Sequence, residues 1–121
     1  MKRLTKKENE IMDLFWTHGP MFIKELQEKY ADPKPHVNTL STMTRILEAN
    51  GFVGHKAYGS TYQYYPLVTR EAYHRGALRR LVSACFDNSY VNAVSALVSE
   101  EKITVEELKE IIARIEAGQN A

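Results

Sequence analysis

Apolar residues recur at three- and four-residue intervals through most of this chain, and each run is closed by a recognisable stop. Ile11, Met12, Leu14, Phe15 and Trp16 mark one side of a first helix. Thr5-Lys6-Lys7-Glu8 opens it as a capping box, in which the Thr hydroxyl and the Glu carboxylate each satisfy a backbone amide that the helix start leaves unpaired. His18-Gly19-Pro20 ends it. After an extended step at Met21-Phe22, a second helix is predicted from Ile23 to Tyr30, with Ile23 and Leu26 facing the same core. Asp32-Pro33-Lys34-Pro35 breaks that helix, because two prolines hold the chain extended and fix the direction in which it continues.

The third predicted helix, His36 to Asn50, has a different character. Leu40, Met43, Thr44 and Leu47 share one side that can be buried. The opposite side of a wheel of about 3.6 residues per turn carries Asn38, Ser41, Thr42, Arg45 and Ala49. A solvated helix is normally richer in Glu and Lys, whereas short polar side chains let a helix approach base edges closely in the major groove of DNA. An Arg among them can fork onto a guanine or a phosphate. The plainer alternative is a Ser/Thr-rich helix facing water. Asn50-Gly51 stops the helix, with Gly free to take the left-handed conformation of a C-terminal cap. A hairpin follows at once, predicted as Phe52 to Ala57 and Thr61 to Tyr65 around a Tyr58-Gly59-Ser60 turn.

His55 and Lys56 are expected near the hairpin tip, where a wing reaches a phosphate or a minor groove; the alternative is an edge strand blunted by charge. Tyr62, Tyr64 and Tyr65 can be read as a stacking platform for single strands, but one side of a small hairpin has to pack, so at least one of them belongs in the core. Trp16 is likewise read as a core anchor. Helix, short strand, helix, turn, helix, hairpin is the order of a winged helix-turn-helix, and it fills residues 1–68. The DNA-contacting set expected from it is Asn38, Thr39, Ser41, Thr42 and Arg45 on the helix, with His55, Lys56 and Ser60 on the hairpin.

Residues 69–121 are predicted to be helical. Thr69 caps a long helix to about Phe86, carrying Tyr73, Ala77, Leu78, Leu81, Val82 and Cys85 on one side; Asn88-Ser89 restarts a helix with Val91, Val94, Leu97 and Val98. Thr104-Val105-Glu106-Glu107 is a second capping box. It opens a final helix with Val105, Leu108, Ile111, Ile112 and Ile115 at helical spacing. About fifty residues rarely make an independent core, so these stripes need a cover. A second copy of the chain is the economical one, with Leu78, Leu81, Val94, Leu97, Val98, Leu108, Ile111, Ile112 and Ile115 as the dimerisation set. Folding back onto the winged domain of the same chain is the alternative. The fold class is therefore mostly α with a small β-hairpin wing: a winged helix-turn-helix domain plus a C-terminal helical dimerisation region.

Charge adds a polarity. The formal net charge of the 121 residues is only +1, but residues 1–80 carry thirteen Lys/Arg against eight Asp/Glu, a balance of +5, and residues 81–121 three against seven, a balance of −4. A basic front and an acidic back suit a protein that sets one end on a polyanion. No apolar run approaches a membrane span, and the charged N-terminus has no secretory centre, so a cytoplasmic location without membrane insertion is expected. The single cysteine, Cys85, excludes an internal disulfide and a Cys-based zinc finger, and it is expected to be a small buried hydrophobe. His18, His36, His55 and His74 are scattered, with no legible Ser/His/Asp or Cys/His grouping and no phosphate-cradling Gly loop. No enzyme, catalytic residue, metal or cofactor is expected.

With those residues in place, the chain resembles the BlaI/MecI family of transcriptional repressors, the penicillinase repressors, which also contains the copper-responsive CopY proteins. The resemblance runs through Leu4-Thr5 and Glu8 to Pro20 in the opening helix. It continues through Thr39-Leu40-Ser41-Thr42-Met43, Arg45-Ile46-Leu47 and Gly51-Phe52-Val53 in the third helix and its exit, and Tyr62-Gln63-Tyr64-Tyr65-Pro66-Leu67 in the hairpin. It implies a homodimeric winged-helix repressor on a double-stranded, palindromic operator upstream of antibiotic-resistance-type genes. In the best-known members a membrane metalloprotease sensor answers a β-lactam and the repressor is then cut in its dimerisation region. The bond cut in those members joins an asparagine to a phenylalanine, and the aligned pair here is Ala96 and Leu97. Family members often carry Arg where this chain has Ile46, and the Cys-x-Cys metal site of the CopY branch is absent. The rival function left by the residues themselves is a winged-helix module that binds protein without sequence-specific DNA binding.

Overall fold

The computed structural model describes residues 2–118. Its elements follow in the order α1 (Lys6–His18), β1 (Met21–Phe22), α2 (Ile23–Glu28), α3 (Val37–Ala49), β2 (Val53–Tyr58), β3 (Thr61–Pro66), α4 (Arg70–Phe86), α5 (Tyr90–Ser99) and α6 (Val105–Glu116). Two compact units result, divided between Ala77 and Leu78 inside α4.

Local chemistry accounts for the boundaries in the first unit. The Thr5 hydroxyl accepts from the Glu8 amide at 3.2 Å and the Glu8 carboxylate from the Thr5 amide at 2.9 Å, so the capping box forms and the buried Glu8 is satisfied. α2 stops at Glu28 rather than Tyr30. The Lys29 and Tyr30 amides bond three residues back, to Leu26 and Gln27, and the Lys34 ammonium donates to the Glu28 and Tyr30 carbonyls, which draws the last carbonyls away from a further helical turn. His36 caps α3 by accepting the Asn38 amide on Nδ1 at 3.0 Å. Gly51, at φ +82°, lets the chain turn from α3 into the hairpin, a conformation that costs a residue with Cβ about 1–2 kcal/mol.

The hairpin gains a third strand. β1 pairs antiparallel with β3, Met21 opposite Tyr64 and Phe22 opposite Gln63, so the sheet order is β1-β3-β2. Between β2 and β3 the register runs from Val53 opposite Pro66 to Tyr58 opposite Thr61, which leaves Gly59-Ser60 as a two-residue turn. Alternation puts Met21, Val53, His55, Tyr62 and Tyr64 on the face toward the helices, and Phe22, Lys56, Tyr58 and Tyr65 on the other. Gly54 lies opposite Tyr65, whose ring comes within 3.0 Å of where a Cβ would stand, so only glycine admits the ring without a shift.

One core joins these elements. Leu4, Ile11, Met12, Phe15, Met21, Leu26, Leu40, Leu47, Phe52, Val53, Tyr64 and Tyr73 are buried together, with Trp16 packed partly buried against them. Trp16 donates its indole N–H to the Val68 carbonyl at 2.8 Å, and the Arg70 guanidinium lies over its ring. Of the three wing tyrosines, Tyr64 is the one in the core; Tyr62 and Tyr65 remain exposed. The first turns of α4 belong to this unit because Tyr73 reaches into it and meets Phe52 and Trp16 ring to ring.

In the second unit, Asp87 and Asn88 both take left-handed backbone, which short polar side chains tolerate, and so reverse the chain between α4 and α5. Ser89 caps α5, and Thr104 with Glu107 forms the second capping box at α6. Leu78, Leu81, Val94, Leu97, Ile111, Ile112 and Ile115 are exposed, as are Tyr90, Val91 and Val105; Val98 and Leu108 are half-buried. Cys85 departs from expectation: it is exposed, while Val82 takes the buried position on α4. The shared apolar side of α4 is thus covered at Tyr73 and Val82 and open at Leu78, Leu81 and Cys85. Among the described residues no helix is long and apolar enough to cross a membrane.

Candidate nucleic-acid interface

α3 turns Leu40, Thr44 and Leu47 fully into the core, and the buried Thr44 hydroxyl donates to the Leu40 carbonyl at 2.7 Å. With that side fixed, Asn38, Thr42, Arg45 and Ala49 form the outer crest of the helix, all exposed. Arg45 lies along the helix, its Nε donating to the Ser41 carbonyl at 3.4 Å, so the guanidinium sits over the crest rather than reaching into the protein.

The hairpin stands beside one flank of this helix. An open groove of about 660 Å³ runs between them, lined by Ser41, Arg45 and Val37 of α3, by Ser60, Thr61, Tyr62 and Tyr64 of the hairpin, and by Phe22, Ile23, Lys24 and Glu25 where β1 passes into α2. Three predicted site residues, Ser41, Arg45 and Ser60, are therefore brought to one groove. Thr39 is not: at about 100° per residue it falls on the far flank of α3, beside Ile46. Ile46 is 45% exposed and gives that flank an apolar contact surface, and its place beside Thr39 on the helical wheel is the signal that adds it to the set.

His55 and Lys56 are not at the tip. They sit partway along β2, opposite Tyr64 and Gln63, because the tip is drawn tight at Gly59-Ser60. They also face opposite ways. The His55 imidazole turns back to α3, pairing through Nδ1 with the Glu48 carboxylate and stacking on Tyr62 with ring centroids 4.3 Å apart. Lys56, on the other face, is exposed with its ammonium 5.3 Å from the Tyr58 ring centre. Burial, then the nearby Glu48 carboxylate, hold the Tyr64 phenol above its ordinary pKa, so it remains a neutral part of the core.

The contributions of Phe22 and Lys24 carry no signal in the local sequence. They depend on β1 pairing with β3, which carries the start of α2 alongside the wing. The arrangement offers hydrogen-bonding side chains on a protruding helix, cations at Arg45, Lys24 and Lys56, and an adjacent hairpin, which together suit a grooved polyanion. Among the described residues no three His, Cys, Asp or Glu side chains are grouped to hold a metal ion. The penicillinase repressor family model matches residues 4–117, and so runs through both units. No curated protein matches the chain.

Proposed function

The chain belongs to the penicillinase repressor family, a family of transcriptional regulators rather than enzymes, and from that premise we propose that it acts as a homodimeric repressor on a palindromic DNA operator. In this reading residues 1–68 bind DNA, with α3 as the recognition helix. Asn38, Ser41, Thr42 and Arg45 meet base edges and phosphates, Thr39 meets the DNA backbone at the far side of the major groove, and Lys56 and Ser60 give the wing its contacts to the DNA backbone. Residues 69–121 pair two copies, so that two recognition helices address half-sites about 34–36 Å apart. The observation that carries the reading is the crest of α3: a short, polar, exposed surface bearing one cation, held rigidly by a fully buried opposite side.

Proteolytic relief belongs to the same proposal. A cut in the second unit, at or near Ala96-Leu97 in α5, separates α6 from the rest of the dimerisation region, and the family points to a membrane metalloprotease sensor as the source of the signal. The repressor reading is tested by footprinting on the promoter of the protein's own gene, followed by operator titration at several salt concentrations. A two-fold symmetric footprint is expected, with log affinity falling steeply against log salt, by about 0.9 per phosphate neutralised. Absence of a footprint, with weak and flat salt dependence on every duplex, identifies a protein-binding module instead.

A further inference from the structure

The outer half of the wing has little core to hold it. Along β2 only Val53 is buried, and from His55 to the tip every residue is exposed. What links this half to the recognition helix is a chain of side chains. Glu48, in the last turn of α3, takes the His55 imidazole; His55 stacks on Tyr62 with an interplanar angle of 22°; Tyr62 meets the buried Tyr64 edge-on at 6.4 Å. Both members of the pair are about one-third exposed, at 30% and 34%. Arg45 from α3 and the phenols of Tyr62 and Tyr64 from β3 are the other polar groups nearby.

This geometry also gives Glu48 a reason to be where it is. A lone carboxylate at the end of a helix that meets phosphates repels them, whereas one engaged by an imidazole is turned aside from the crest. We propose that Glu48 and His55 are positioning residues, whose pair, backed by Tyr62, fixes the angle of the β2–β3 wing against α3 so that helix and wing engage DNA in register. The inference rests on the reading of α3 as a recognition helix. His55 in this role acts through Glu48 and Tyr62 and does not itself need to touch a phosphate.

The test combines a DNA-free measurement with a binding cycle on the full chain. Glu48→Ala and His55→Ala each speed amide hydrogen exchange over residues 54–62 severalfold without DNA, while the amides of α1 are unchanged. Each loses about tenfold in operator affinity, the double variant loses no more than either single one, and affinity for unrelated duplex stays as in wild type. Glu48→Gln, which keeps an acceptor oxygen at the same reach, restores most of the loss. Unchanged exchange in the wing overturns the proposal. So does a tighter Glu48→Ala with a His55→Ala weakened on all duplexes alike, which marks His55 as a phosphate contact. Wild-type protein that binds no duplex defeats the repressor reading, and the exchange measurement still decides the brace.

Discussion

The Leu4 amide donates a hydrogen bond to the Tyr73 hydroxyl at 2.9 Å, across 69 positions of sequence. Both residues are buried, so this bond ties the chain ahead of α1 to the first turns of α4 and closes the winged unit from both ends. Tyr73→Phe keeps the ring contacts with Trp16 and Phe52 but leaves a buried amide without that acceptor. A loss of about 1–3 kcal/mol of stability is expected, read as a lower midpoint in urea unfolding. An unchanged midpoint shows that the amide finds another partner.

The crest of α3 makes the most direct prediction about recognition. Arg45→Ala and Thr42→Ala each weaken binding to a mapped operator by about 1–3 kcal/mol, the usual cost of losing a good base contact. Both side chains are exposed and neither packs in the core, so the fold is expected to survive. Titration of folded variants that matches wild type rules this surface out as the reader of sequence.

Lys56 separates positioning from reading. Its ammonium is exposed on the sheet face turned away from α3. Lys56→Ala therefore lowers affinity for all duplexes alike and reduces the log–log salt slope by about one unit. A changed sequence preference at constant slope instead assigns base contacts to the wing.

The apolar faces of the second unit predict the consequence of cutting it. A chain ending at residue 92 lacks most of α5 and all of α6, and with them Val94, Leu97, Ile111, Ile112 and Ile115, which a single copy leaves exposed. It is expected to sediment as a monomer and to lose about 10²–10⁴ in apparent operator affinity, because the second half-site is no longer presented intramolecularly. A truncated dimer with full affinity places the dimer contact elsewhere and removes the physical basis for a cleavage switch.

Signals carried by neighbouring residues were legible in the sequence. The capping boxes at Thr5 and Thr104, the Ser89 cap, the stop at Gly51 and the buried side of α3 each depend on groups within a few positions of one another, where propensity and hydrogen bonding act directly. The outer face of α3 follows by subtraction, since a helix whose Leu40, Thr44 and Leu47 are buried has no freedom in what it shows to solvent. The order of elements, and with it the winged helix-turn-helix, came from the same local rules.

Only the tertiary structure decided what depends on distant segments meeting. Lys34 reached back to close α2 early, β1 joined β3 and carried Phe22 and Lys24 to the wing, and the sheet register turned His55 toward Glu48 and Lys56 away from it. Cys85 shared a helical stripe with Val82, yet one is exposed and the other buried, because a stripe states which side can be covered and not which positions along it are. The periodicity of one chain determines faces; which faces are covered, and which side chains meet across them, is set by three-dimensional packing.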